Sequence, residues 1–128
     1  MVVDERAEWA DPARFPAAAR VLDADPRDLL RREPPRPTDL VLVVTHDHGL
    51  DEALIRLLAP HPVAWLGLVG SRGKWARFRR RLEARDVAPA ALDRVRCPVG
   101  ADIGAVTPAE IAVSIAAELV AHRHKVRP

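Results

Sequence analysis

The chain has 128 residues, 48% hydrophobic and 30% charged, the make-up of one soluble globular domain that buries its core without a disulfide or metal staple. A formal net charge of +2 argues against a dedicated nucleic-acid binder or a membrane-surface protein. The single cysteine, Cys97, excludes an internal disulfide framework and fits a reducing cytoplasm, while no apolar run approaches the ~18–20 residues of a membrane span.

The predicted elements alternate between short apolar runs and longer helical stretches, the pattern of a parallel-sheet α/β domain. Met1 to Val3 reads as a strand that ends at Asp4, with no signal-peptide character around it. Val21-Leu22 is a second short strand, and Asp28 to Arg32 a brief helix stopped by a proline-rich loop at about 33–38. Leu40 to Val44 is the clearest strand, a β-branched and leucine run suited to a sheet covered on both faces. Asp51 is placed as the cap of the helix that carries Leu54, Ile55, Leu57 and Leu58. Val63 to Val69 is the next strand, followed by a helix from Lys74 to Arg85 with Trp75, Phe78 and Leu82 on its buried side. Val95 to Val99 is the last strand. The final helix opens on Thr107 as N-cap, Pro108 at the first position and Glu110 completing a capping box. Ile111, Ile115 and Leu119 form its apolar stripe.

In such a fold, ligands bind outside the carboxyl ends of the strands. That rule selects Asp4, the run Thr45-His46-Asp47-His48, the turn Gly70-Ser71-Arg72 and the segment from Gly100 to Thr107, with Asp102 reading as a buried aspartate and Gly104 as a close-approach position. His46 and His48 raise a metal hydrolase, but Leu50 stands where a His-x-His-x-Asp-His pattern needs aspartate. Gly67 to Lys74 is similar to a phosphate loop and fails as one, because Leu68 and Trp75 replace the required glycine and hydroxyl residue. An anion site remains, built from N–H groups at a helix start and the charges of Arg72 and Lys74. Cys97 reads as a structural thiol, and the arginine-rich helix face as a solvated surface.

Four segments in order carry a more specific signal: Val2 to Ala10 with Arg14-Phe15-Pro16, Val43 to His48, Gly67 to Ser71, and Ile103-Gly104 through Thr107-Pro108 to Ile115. Together they resemble the C-terminal Rossmann-like domain of the xanthine dehydrogenase accessory protein family (XdhC/CoxI) over nearly the whole chain. The resemblance implies a three-layer Rossmann-like domain, residues 1–128, with a mostly parallel sheet. It implies a cytoplasmic accessory or chaperone-like protein, not a catalyst, that binds the molybdenum cofactor (molybdopterin) for a xanthine dehydrogenase or related molybdenum hydroxylase. The implied partners are the apo-hydroxylase and a cysteine desulfurase, with no nucleic acid and no membrane. The implied ligand edge is Asp4, Thr45, His46, His48, Gly70, Ser71, Arg72, Asp102, Gly104 and Thr107. A dinucleotide is a second candidate ligand, in a Rossmann-type NAD(P)-dependent oxidoreductase; a hydrolase using His46 and His48 is the third reading.

The family's domain starts with a further strand and a Gly-x-Gly-x-x-Gly turn that residues 1–128 do not contain. In the strand order 3-2-1-4-5-6 that strand is central, between the runs at 1–4 and 40–44. An N-terminally truncated domain is therefore expected, in which the Met1 strand slides into the vacant place, a second copy or partner chain fills it, or the fold is marginal.

Overall fold

The computed structural model describes residues 1–127. Strands β1 (Val2–Asp4) and β2 (Val21–Asp23) are joined by a loop containing a single 3-10 turn at Pro12–Arg14. Helix α1 (Pro26–Arg32) follows, then β3 (Leu40–Val43), α2 (His48–Leu58), β4 (Trp65–Leu68), α3 (Arg72–Glu83), a one-turn α4 (Pro89–Leu92), β5 (Val95–Arg96) and the long α5 (Pro108–His124).

Local chemistry sets the ends of these elements and corrects several sequence expectations. Helix α1 starts at Pro26, two residues earlier than expected, because the Asp25 carboxylate accepts the Arg27 N–H at 2.9 Å and proline presets the first helical φ. Asp47, not Asp51, caps α2: its carboxylate accepts the Leu50 N–H at 2.8 Å, so His48 is already the first helical residue. Ser71 caps α3 by accepting the Lys74 N–H, which places the start of the helix at Arg72. The capping box of α5 forms as expected, with Glu110 accepting the N–H groups of Thr107 and Val106. β5 is shorter than the expected run to Val99, since Pro98 has no N–H to give a ladder.

The strands form two separate parallel sheets, β1 with β2 and β3-β4-β5. Val2 to Asp4 pair with Val21 to Asp23, and Leu40 to Val43 pair with Trp65 to Leu68. In β4 every residue is buried. Leu66 and Leu68 face α2 and α3, where Leu54, Ile55, Leu58, Phe78 and Leu82 complete the main core. Trp65 faces the other way, against Val99 and the Ile111, Ile115 and Leu119 stripe of α5. Gly67 lies on that same face, and a Cβ there would collide with the Trp65 ring and come within 2.7 Å of Val99. Helices thus lie on both sides of this sheet, the three-layer α/β arrangement expected, but only β4 is buried on both faces: α5 packs on Trp65 and does not reach Leu40 and Leu42 of β3, which stay exposed, contrary to the doubly covered run expected.

β1 stays with β2 and does not slide toward β3. Between β1 and β3 lies a cleft of about 780 Å³, floored by Leu29, Leu30, Leu50, Leu54 and Leu58. Below it α1 packs on α2, which holds the two sheets in one body. No helix among the described residues is long and apolar enough to cross a membrane.

Candidate functional site

The carboxyl ends of β1, β3 and β4 supply most of the sequence-selected residues. Asp4 ends β1, and its carboxylate is held by its own neighbour: Arg6 donates its N–H at 2.9 Å, Nε at 3.0 Å and Nη2 at 2.9 Å. The Arg6 guanidinium keeps the Asp4 carboxyl below its ordinary range, and the charge of His46 contributes in the same direction. Asp4, Thr45 and His46 all line the cleft, so the structure brings the ends of β1 and β3 together. His46 and His48 are exposed, on either side of the cap residue Asp47. Among the described residues no three His, Cys, Asp or Glu side chains group as a metal cluster would require.

Thr45 is engaged locally. Its hydroxyl donates to Asp51 Oδ1 at 2.7 Å, and its N–H donates to the same oxygen at 3.1 Å. The other carboxylate oxygen, Asp51 Oδ2, accepts from Lys74 Nζ at 2.8 Å, and that ammonium also donates to the Val69 carbonyl at 3.1 Å. Asp51 is 2% exposed and Lys74 8%. Lys74 is therefore neutralised inside the protein and does not supply the anion site expected of it. Gly70 makes room for this route, since a Cβ there would meet the lysine's Cδ at 2.8 Å. Cys97 sits beside the pair with its thiol against the Gly70 carbonyl, and burial pushes its pKa up to about 11, which keeps it neutral and unreactive.

Sequence reasoning missed this pair, although a signal was present. Asp51 shares the buried face of α2 with Leu54, Ile55 and Leu58, and Lys74 shares that of α3 with Phe78 and Leu82. Opposite charges on the apolar faces of two successive helices point to a buried ion pair. A second buried acid, Glu118 on α5, was also missed; it accepts the Trp65 indole N–H at 3.1 Å and the Gly100 N–H.

At the end of β4, Ser71 spends its hydroxyl on the α3 cap, while Arg72 is exposed and has no salt bridge among the described residues. Beyond β5, Asp102 is exposed, contrary to the buried position expected, because the loop from Ala101 to Val106 runs over the surface. Gly104 has φ +71° and open space around it. Thr107 is occupied as the α5 cap. Among the described residues selected from the sequence, the side chains with no hydrogen bond or ion pair along this edge are His46, His48, Arg72 and Asp102. A smaller cavity of about 440 Å³ lies at the opposite, amino-terminal ends of β4 and β5, lined by Val63 to Leu66 and Asp93 to Arg96, away from these residues.

A parallel α/β domain with polar loops along the carboxyl edge of its strands has the Rossmann-like fold. The chain belongs to the XdhC family: the model of the XdhC Rossmann domain matches residues 1–119. It is 38% identical over 120 residues to the uncharacterized protein YqeB of Escherichia coli, covering 93% of this chain and 22% of that protein. It is 32% identical over 126 residues to a probable xanthine dehydrogenase subunit of Bacillus subtilis, covering 98% of this chain and 36% of that one. The crystal structure of a xanthine dehydrogenase from Bacillus halodurans superposes with a TM-score of 0.83 at 32% identity, over 97% of this chain and 35% of that chain. The chain therefore spans between about a fifth and a third of the length of these relatives.

Proposed function

We propose that the chain is an accessory protein that binds the molybdenum cofactor during maturation of a xanthine dehydrogenase or related molybdenum hydroxylase. The observation that carries this reading is membership of the XdhC family over residues 1–119, supported by relatives named for xanthine dehydrogenase. The site's chemistry is compatible with it. The cofactor carries a phosphate, and the exposed Arg72 at the start of α3, with the N–H groups of the first turn, is an anion-holding arrangement. His46 and Asp102 add hydrogen-bonding groups for a polar heterocycle. When delivered, the cofactor supplies the redox centre of the receiving enzyme; this chain's part is to bind and orient it.

The implied partners are the apo-hydroxylase and a cysteine desulfurase, and the implied compartment is the cytoplasm. Isothermal titration with molybdenum cofactor released from a purified molybdenum enzyme, and in parallel with NAD, tests the reading. Saturable binding of the cofactor and about tenfold weakening, ~1.4 kcal/mol, in Arg72→Ala are expected. Binding of NAD without binding of the cofactor would replace this reading by that of a nucleotide-dependent oxidoreductase.

A further inference from the structure

Past the last rung between β3 and β4, two turns carry the exposed side chains His46 and Arg72. The Val69 N–H donates to the Val43 carbonyl at 3.0 Å, and beyond that point no backbone hydrogen bond among the described residues joins residues 44–47 to residues 70–72. Turns of this kind run over the surface and are ordinarily the looser part of a domain. Here each is tied up locally. In the first, the Thr45 N–H donates to Asp51 Oδ1 at 3.1 Å and the Thr45 hydroxyl accepts the Asp47 N–H at 3.2 Å, so His46 stands between two held amides. In the second, Lys74 donates its N–H to Ser71 Oγ at 3.1 Å and its ammonium to the Val69 carbonyl, also at 3.1 Å, which encloses Arg72 in a loop fastened at both ends. On the far side of that turn the Cys97 thiol donates to the Gly70 carbonyl at 3.5 Å. The 2.8 Å contact from Lys74 Nζ to Asp51 Oδ2 joins one turn to the other, with both side chains buried.

Stability alone does not account for that contact. A buried ion pair is generally no more stabilising than a well-packed apolar pair of similar volume, because both charges give up their hydration. Its distinguishing property is direction, since each oxygen and each N–H has to meet its partner at a set place. Asp51 Oδ1 serves the first turn and Oδ2 the second, so one rigid carboxylate sets the spacing between them. An apolar pair would fill the same space and set no such spacing. Binding groups held in place before a ligand arrives lower the ordering cost of binding. We infer that Asp51 and Lys74 are positioning residues of the carboxyl edge: the pair fixes the turn at Thr45–Asp47 against the turn at Gly70–Lys74, so that His46 and Arg72 meet one ligand as a prearranged pair. They act through the two turns and not by contact with the ligand. The ligand class this suits is a single molecule with an anionic group for Arg72 and a polar ring for His46. The inference rests on the cofactor-binding reading for the identity of the ligand, though not for the geometry of the turns.

The test uses the full chain carrying Asp51→Leu with Lys74→Met, which keeps the packing and removes the directional contacts. Its urea midpoint should stay close to that of the parent chain, whereas titration with molybdenum cofactor released from a purified molybdenum enzyme should show binding at least about tenfold weaker. Arg72→Ala, expected to weaken binding to the parent about tenfold, should cost the double variant less than about threefold, because the arginine is then no longer held in register. With no ligand present, NMR relaxation should show the amides of His46 and Arg72 losing order together, while those of Leu66 and Leu68 in β4 do not. Thr45→Val, which leaves both charges in place, should loosen His46 and Asp47 but not Arg72. Unchanged order at His46 in either variant, or an equal Arg72→Ala loss in both backgrounds, would overturn the inference. Failure of the parent chain to bind the cofactor, together with joint loosening of the two turns in the double variant, would instead reject the cofactor reading and leave the positioning role standing.

Discussion

The two sheets of this molecule are built from similar strands yet are held in very different ways. The β3-β4-β5 sheet, with the helices packed on it, accounts for nearly all of the buried apolar side chains, from Val43 to Ala121. The β1-β2 sheet contributes no fully buried strand residue, and in the first 39 residues only Ala10 and Leu29 are buried. What organises the first region is ion pairing: Asp4 with Arg6, Asp25 with Arg27, Arg20 with Glu33, and Arg6 and Arg14 stacked over the Trp9 ring at 5.1 and 4.6 Å. Partly exposed pairs of this kind contribute little each. The difference teaches that a sheet open along one edge can remain ordered by local contacts while its stability is borrowed from a neighbouring core through α1 and α2.

The largest blow to the well-packed region should come from breaking its buried ion pair. Lys74→Met leaves the buried Asp51 carboxylate without its cation, held only by the N–H and hydroxyl of Thr45, and a loss of roughly 3–5 kcal/mol in urea denaturation is expected. The double change Asp51→Leu with Lys74→Met should recover most of it; a single-mutant loss below about 1 kcal/mol would mean that the pair is solvated. Next comes a matched pair of truncations. Leu58→Ala, in the main core, should cost roughly 2–5 kcal/mol, whereas Leu22→Ala in β2 should cost under about 1 kcal/mol. Equal losses would contradict the contrast between the regions.

The smallest effect concerns acid. Arginine partners hold the carboxyls of Asp4 and Asp25 below their ordinary range, chiefly through the side-chain hydrogen bonds of Arg6 and Arg27. A depressed folded-state pKa gives stability that is present above the unfolded value and lost as pH falls through the folded one. Amide protection factors, exchange rates corrected for the intrinsic pH dependence, should therefore fall first in residues 1–32 and later in β4 and α3 as pH is lowered from 7 to about 3. Simultaneous loosening would show that the two sheets open as one unit.

Much of the fold was legible in the residues. The apolar run from Leu40 marks a strand, although Leu40, Leu42 and Val44 stay exposed on one face, and the Thr107-Pro108-Glu110 cap fixes the start of α5 without tertiary help. The gap between β1 and β3 also followed from family strand order, and the two separate sheets agree with it. The chemistry of the edge was harder to read, because a polar residue after a strand can serve a ligand or the backbone. Thr45, Ser71 and Thr107 each spend their hydroxyls on the protein itself, and Asp51 lies inside a helix it was expected to cap. Those roles depend on which side chain arrives from another element, as Lys74 does at Asp51, and local pattern does not contain that information.

The lysine threaded over Gly70 has a mechanical consequence. Its ammonium grips the Val69 carbonyl and Asp51 at once, and Asp51 in turn grips the backbone and hydroxyl of Thr45. The turn that presents Arg72 and the turn that presents His46 are thus bolted to the same internal rod. Shifting either turn therefore strains a hydrogen bond that the other turn shares, through Asp51 and Lys74.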